Sequence, residues 1–161
     1  MHKYLAFPIG AVLLMTVLWF GRQPPSDEAV MAIYQEHQAS LRHLVQLYQE
    51  DQVGVIINKN GSIYPTTAEE QLSSDRLELY RTLVKESGVT RSLGGNAAEP
   101  VTFQIFNLIP FSPMKTIVYS PAPPPLLTAG NTDGYTFAAD QYQRVCRSIE
   151  ASWYLCLDYE D

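Results

Sequence analysis

The chain has 161 residues, 17 of them acidic and 11 basic, which gives a formal net charge of −6 at pH 7. Excess negative charge repels phosphate backbones, so it argues against a nucleic-acid-binding protein. The basic residues are scattered, without the clusters that basic arms use. The length suits one domain of ordinary size behind an N-terminal segment.

An apolar run occupies residues 5–20, where no side chain is charged and Thr16 is the single polar one. Extended to residues 4 and 21, the run reaches the ~17 residues that a membrane-spanning helix needs. The rings of Trp19 and Phe20 stand where signal-peptide cleavage needs small side chains. We therefore predict an uncleaved anchor over residues 1–21, in the membrane through residues 5–21. The alternative is a secreted protein whose signal peptide is removed.

Charges around the run predict its orientation. Lys3 precedes it and Arg22 follows it, with Asp27 and Glu28 close behind. The positive-inside rule then favours a cytoplasmic N-terminus and an exported body. We predict a single-pass protein of the bacterial inner membrane, with a linker at residues 22–26 and one extracytoplasmic domain at residues 27–161.

A long helix is predicted directly after the linker. Ser26 and Asp27 are favourable N-cap residues, and an acidic first turn follows. We predict a helix over Asp27–Asp51 that rises from the membrane as a stalk. Its apolar positions have the one-face spacing of an amphipathic helix: Val30, Ile33, Tyr34, Leu41, Leu44, Val45 and Tyr48.

A β-hairpin is predicted next. The β-rich run at residues 53–57 meets a turn signal at residues 58–61, and residues 62–64 form a returning strand. Pro65 ends this strand.

A second helix follows the hairpin. Thr66 to Glu69 fits a capping box, and Ser73 with Asp75 gives another start signal. The helix should end near Gly88, which adopts the left-handed conformation easily. Its apolar positions are Leu77, Tyr80, Leu83 and Val84.

The next segments alternate between loops and strands. Residues 92–100, with two adjacent glycines, predict a loop, and residues 101–106 predict a strand with Val101, Phe103 and Ile105 on one face. Residues 107–113 contain two prolines that would interrupt a sheet, so they predict a connector.

A strand is predicted at residues 114–119, and a proline-rich irregular segment at residues 120–133. Loops of that length in compact domains are usually functional or disordered.

The C-terminal segment fits an antiparallel hairpin turning at residues 150–152. That register places Cys146 opposite Cys156, Arg144 opposite Asp158 and Ile149 opposite Trp153. One face becomes apolar and is interrupted by Arg147: Val145, Ile149, Trp153, Leu155, Leu157 and Tyr159. A helix is the alternative for the first half, because Asp140 could cap it and the following residues also show helical spacing.

The two cysteines should form a disulfide in an oxidising compartment. Closing this loop would stabilise the fold by roughly 3 kcal/mol through chain entropy. Nine residues separate Cys146 from Cys156, against two in the redox motif, so we expect a structural bond. Zinc ligation is disfavoured, because the histidines lack ligand spacing relative to the cysteines.

No catalytic motif is present in the sequence. His37 and His43 are six residues apart on one helix and so face different ways. His37 lies three residues after Tyr34 and four before Leu41, next to the apolar stripe, which indicates a core-edge histidine and not a ligand. We interpret the acid pairs Glu50-Asp51 and Glu69-Glu70 as solvated surface, because adjacent residues on a helix do not point at one place. We expect no catalytic, cofactor-binding or metal-binding residues, no cofactor and no enzyme activity.

The order of elements, a long helix, a hairpin, a helix and four strands, predicts an α+β fold with a mainly antiparallel sheet and helices on one face. This topology resembles the PAS-like or profilin-like arrangement of extracytoplasmic sensor domains. We predict a membrane-anchored binding or accessory domain that uses the loops at residues 92–100 and 120–133 to bind a partner protein or small ligand. The alternatives are an immunity-type or inhibitor protein with an acidic surface, and a small hydrolase with an unrecognised site.

Overall fold

The computed structural model describes residues 24–95, 98–105, 113–128, 130–137 and 143–159. It has the predicted α+β character. The helices and strands are, in chain order, α1 (Asp27–Asp51), β1 (Val55–Asn58), β2 (Ile63–Tyr64), α2 (Ala68–Gln71), α3 (Ser74–Glu86), β3 (Arg91–Gly94), β4 (Val101–Gln104), β5 (Met114–Tyr119), β6 (Gln143–Glu150) and β7 (Trp153–Tyr159).

Several predicted features lie outside the described residues. These are the anchor at residues 1–21, the linker up to residue 23, the connector between β4 and β5 except Pro113, and the alternative cap Asp140. Among the residues that are described, no helix is long and apolar enough to cross a membrane.

The two long helices begin and end where the sequence predicts. The Ser26 hydroxyl accepts a hydrogen bond from the Ala29 N–H at 3.2 Å, which caps α1. Ser73 caps α3 in the same way, by accepting from the Arg76 N–H at 3.2 Å. Past the end of α3, Gly88 has a φ of 72°, as its predicted role requires.

The capping box predicted at Thr66 is wrong. The short helix α2 begins after Thr67, whose side chain makes no capping hydrogen bond. Thr67 itself has helical torsion angles, so its hydroxyl is not placed to reach the N–H groups of the first turn.

Seven strands form one antiparallel sheet in the order β2-β1-β3-β4-β5-β7-β6. Helices α1 and α3 share one core with it, and residues such as Tyr48, Tyr80, Phe103 and Leu155 are fully buried there. On β5, β6 and β7, side chains that point to the other side of the sheet form a second small cluster. We call the face against α1 and α3 the helix face and the opposite one the outer face.

Strand β3 corrects the prediction of a loop over residues 92–100. Residues 91–94 pair with β1 on one side and β4 on the other, so five strands follow α3 instead of four. Serine and glycine rarely favour strands, which is why local sequence missed it. Tertiary contacts supply the preference: the hydroxyls of Ser92 and Tyr48 lie 2.8 Å apart, and the backbone of Gly94 passes directly over the Tyr48 ring.

The C-terminal hairpin has the predicted register. Cys146 lies opposite Cys156 and Arg144 opposite Asp158, so residues 143–150 form a strand and the helix alternative is wrong for them. The predicted Ile149–Trp153 pair is also wrong, because a bulge places Glu150 opposite Trp153. Ile149 is the extra residue of the bulge, which leaves Ala151 and Ser152 in the loop, and Ser152 turns the chain with a positive φ of 64°.

A disulfide joins Cys146 to Cys156 across the hairpin, as predicted. Both cysteines are fully buried on the outer face, where they pack with Val118 and Tyr154. The bond therefore closes a loop whose strands are already held by the sheet.

Replacing both Cys146 and Cys156 with alanine is expected to lower the free energy of unfolding by about 2 kcal/mol. The loss stays near the lower end of the usual range because the closed loop is short and its register is also fixed by the Arg144–Asp158 ion pair. Urea unfolding of the full chain in detergent measures it. Reductant should lower the stability of the wild type equally and leave the variant unchanged; equal wild-type and variant stabilities would contradict the prediction.

Candidate functional site

A cleft of about 410 Å³ opens beside the N-terminus of α1. Its walls come from the segment before α1, the start of β5, the end of β7 and the irregular segment after β5. The residues that line it are Pro24, Ser26, Pro113, Lys115, Thr132, Asp133, Tyr135 and Leu157. The predicted irregular segment at residues 120–133 therefore reaches the cleft through its last two residues.

The inner wall of the cleft contains a fully buried lysine, Lys115. It lies on the same face of β5 as the core residue Ile117, so its side chain runs under α1. Its ammonium donates hydrogen bonds to Asp27, to the Thr132 hydroxyl at 2.6 Å and to Asp133 at 2.8 Å. An ammonium has three N–H donors, and all three are used here.

Asp27, the first residue of α1, joins the helix to the irregular segment. Its carboxylate accepts from the Thr132 N–H at 2.9 Å and from the Thr132 hydroxyl at 2.6 Å. In return, the Asp27 N–H donates to the Asp133 carboxylate at 2.8 Å. A carboxylate at this position also interacts favourably with the positive end of the helix dipole. The cleft wall is thus fastened to the helix by both carboxylates.

Arg147 completes this group, which we call the Lys115 cluster: Asp27, Lys115, Thr132, Asp133 and Arg147. Its Nε lies 3.0 Å from an Asp27 carboxylate oxygen, but the N–H does not point at that oxygen, so the attraction is an ion pair without a hydrogen bond. Two cations face two carboxylates, and the cluster has no net charge. Arg147 is the residue that interrupts the apolar face of the hairpin, and the buried Asp27 accounts for it.

The pKa of Asp27 reflects these contacts. Burial alone would raise it, but hydrogen bonds from Lys115 and Thr132 hold the pKa of Asp27 below its ordinary value. Asp27 is therefore ionised in the folded protein at neutral pH.

We expect acid to weaken the fold through Asp27. Because its folded-state pKa is lowered, its contribution is fully present above the ordinary pKa of 3.8 and is lost as pH falls through the lower folded value. Urea unfolding measured from about pH 6 down to about pH 2 should show this loss. The Asp27→Asn variant should be less stable than the wild type near neutral pH, and its free energy of unfolding should depend less on pH in acid. The variant Glu70→Gln, at an exposed position, should follow the wild type. If the free energy of unfolding of Asp27→Asn fell with pH in parallel with that of the wild type, the prediction would be wrong.

The Lys115 cluster does not present a reactive lysine. Each N–H of its ammonium already donates a hydrogen bond within the cluster, so it has no free donor for a ligand. The accessible groups of the cleft are on its open walls, chiefly the 40% exposed Tyr135 and the partly exposed Asp133. Hydrogen bonds between Asp27, Thr132 and Asp133 hold the neighbouring part of the wall against α1.

A second ionic group corrects the interpretation of Glu50 and Asp51 as plain solvated surface. Both bind Arg76 of α3, at 2.7 Å and 2.8 Å, and Tyr80 donates to Asp51 at 3.0 Å. Although adjacent residues leave a helix in different directions, the long side chain of Arg76 reaches both. The hydrogen bond from Arg76 lowers the pKa of Glu50 below its ordinary value. This group connects α1 to α3 and is remote from the cleft.

The histidines occupy the positions predicted for them. His37 is partly buried and its ring lies against Gly88, whereas His43 is exposed. Helix α1 departs from helical torsion angles at His37. Within the described ranges, His, Cys, Asp and Glu form no group of three suited to a metal ion.

Comparison with known proteins identifies no relative. No protein-family model matches the chain, and no curated protein or solved structure matches it.

Proposed function

We propose that this chain is a membrane-anchored extracytoplasmic binding domain whose cleft beside the N-terminus of α1 takes a small ligand or a segment of a partner protein. The cleft is the observation that carries the proposal. Its volume of about 410 Å³ falls within the range of small-ligand sites, and it combines apolar walls with a few fixed polar groups. Tyr135 supplies an aromatic wall, and Asp133 a carboxylate.

The rigidity of the cleft supports a binding role. Lys115, Asp27 and Thr132 are buried and mutually hydrogen-bonded, so this part of the wall is formed before any ligand arrives. A preformed wall loses little conformational freedom on binding, which favours affinity. A catalytic role has weaker support, because the one lysine in the cleft is fully engaged.

The location proposed for the domain has two supports. The apolar run at residues 5–20 is suited to a membrane anchor, and the Cys146–Cys156 disulfide is typical of oxidising compartments outside the bacterial cytoplasm. A reporter that is active only outside the cytosol, fused after the last residue, tests this part. If the reporter showed no activity, the proposal that the domain is exported would be wrong.

A PAS-like or profilin-like sensor role is the finer form of this proposal. It is consistent with a long helix rising from an anchor into an α+β domain with an antiparallel sheet. Fold alone does not determine function, so the proposal rests on the cleft.

Affinity capture from membranes tests the binding role. The tagged full chain is recovered at low salt, and both proteins and small molecules that stay bound are identified by mass spectrometry. Tyr135→Ser should lose the bound species, whereas Tyr64→Ser should keep it, because Tyr64 is at least as exposed, at 54%, but belongs to the far strand β2. If wild type retains nothing, or if both variants behave alike, the proposal is wrong.

One observation favours the acidic inhibitor as a second candidate. Exposed acidic residues are concentrated on the end of α1 and on α2 and α3: Glu50, Glu69, Glu70, Asp75, Glu78 and Glu86. Arg76 and Arg81 neutralise part of this surface. Under this alternative, the same capture experiment recovers a basic protein that is released by salt and is insensitive to Tyr135→Ser.

A further inference from the structure

An aromatic patch borders the cleft on its open side. The rings of Tyr135 and Phe137 meet edge to face at 5.1 Å between centroids, and Phe137 stacks on Tyr159 at 5.6 Å. Tyr135 is 40% exposed, although its ring contacts that of Phe137. Phe137 and Tyr159 are partly exposed, so the three rings form one contiguous aromatic surface, and contiguous exposed apolar surface is a feature of interaction sites. We call these three residues the aromatic patch.

The position of this patch is set by the chain that leads into the domain. Pro24 and Tyr135 line the same cleft. The apolar run ends at Phe20, four residue steps before Pro24. Even fully extended, four steps span at most about 14 Å. If residues 5–20 lie in a bilayer, Pro24 is therefore held within about 14 Å of the point where the chain leaves the hydrocarbon, and the cleft that it lines lies next to it.

The chemistry of the patch suits the headgroup region that it would meet. Tyrosine rings settle at the membrane–water interface, where the ring contacts acyl chains and the hydroxyl stays hydrated. The charges that line the cleft do not oppose this approach, because Lys115 and Asp133 are paired with each other at 2.8 Å. Pro24 and Pro113 add apolar surface without adding charge.

We propose that Tyr135, Phe137 and Tyr159 dock into the interface of the membrane that holds the anchor, and so fix the orientation of the domain against the bilayer. This inference rests on the membrane anchoring in the proposed function. It deepens that function, because a cleft that opens beside a docked aromatic patch receives ligands that partition into the interface in preference to freely soluble ones.

An environment-sensitive fluorophore tests the docking. The sequence has two cysteines and both are in the disulfide, so Thr136→Cys gives one free thiol at the exposed position between Tyr135 and Phe137 in the chain while keeping all three rings. The matched control is Thr66→Cys, another exposed threonine, which follows β2. Strand β2 is four positions from β5 in the sheet, a displacement of about 19 Å.

The labelled full chains are reconstituted into phosphatidylcholine vesicles that contain a lipid with a nitroxide near the headgroup. The probe at position 136 should shift its emission to the blue and lose most of its intensity to the nitroxide, and the probe at position 66 should do neither. Adding Tyr135→Asp to the Thr136→Cys chain should restore the emission, because a charge at this position opposes entry into the interface.

Vesicle flotation separates the two ways in which the result can fail. A chain that does not float with the vesicles lacks the anchor, and the proposed function falls with the docking. A chain that floats while the probe at position 136 behaves like the probe at position 66 keeps its anchor and overturns the docking alone. Quenching at position 136 that survives Tyr135→Asp also overturns it, because the rings then play no part.

Discussion

Replacing Lys115 with methionine is expected to lower the free energy of unfolding by about 3–5 kcal/mol. Methionine fills nearly the same volume, so packing is largely conserved and the change isolates the charge. Among the described residues, Asp27 would then keep one neighbouring cation, the partly exposed Arg147. Removing one partner of a buried ion pair costs more than the pair itself contributes, because the remaining charge is left without compensation.

Urea unfolding of the full chain in detergent, followed by far-UV circular dichroism, measures this effect. Lys85→Met is the matched control, because Lys85 is exposed in the last turn of α3. Its loss should stay within about 0.5 kcal/mol. A loss below about 1 kcal/mol for Lys115→Met would mean that the cluster is hydrated or rearranges easily, and the rigid cleft wall would then be wrong.

A double variant determines whether the loss comes from the ion pair. Asp27→Asn removes the negative partner, so Lys115→Met in that background leaves no isolated carboxylate at position 27. The two changes together should cost less than the sum of the separate losses, with a coupling of about 1–3 kcal/mol. If the losses of the two single variants simply added in the double variant, the effect of Lys115→Met would come from packing and not from the charge.

Local sequence signals were sufficient for most of the fold. The serine caps of α1 and α3, and the register that opposes Cys146 to Cys156, all depend on residues close together in the chain. Such signals are local, and the structure confirms these three. The capping box at Thr66 is wrong because the same residues form a tight turn, in which the Glu69 N–H donates to the Thr66 carbonyl at 3.0 Å.

The candidate site depends on contacts between distant residues. Asp27 is 106 residues from Asp133 and 88 from Lys115, and no local pattern connects them. A signal was nevertheless present. Arg147 interrupts the apolar face of the hairpin, and Lys115 shares a face with Ile117. A charged residue on the buried face of a strand indicates a buried partner elsewhere in the chain.

Strand β3 also depends on residues that are distant in the chain, in this case through backbone pairing. Its sequence lacks strand-forming residues, and its position is decided by β1 and β4 on either side. Gly94 is essential to that position. A Cβ atom built on Gly94 would lie 2.2 Å from Cδ1 and 2.3 Å from Cγ of Tyr48, far inside van der Waals contact. The glycine is there because an aromatic ring occupies the space of its side chain.

Gly94→Ala is therefore expected to lower the free energy of unfolding by about 3 kcal/mol or more, at the upper end of the costs of overpacking. The Tyr48 ring cannot retreat, because it is buried, its hydroxyl lies 2.8 Å from that of Ser92, and it packs on Tyr80 at 5.1 Å. Urea unfolding measures the loss, and Gly54→Ala is the matched control.

A Cβ on Gly54 would meet no atom within 4 Å, so Gly54→Ala should change the stability by no more than about 1 kcal/mol in either direction. Shortening the obstructing ring provides the decisive comparison. Tyr48→Leu leaves a cavity and is destabilising alone, but it makes room for the new methyl group. Gly94→Ala should then cost less in the Tyr48→Leu background than in the wild type. An equal cost in both backgrounds would show that Gly94 is required for its backbone conformation and not for its closeness to Tyr48.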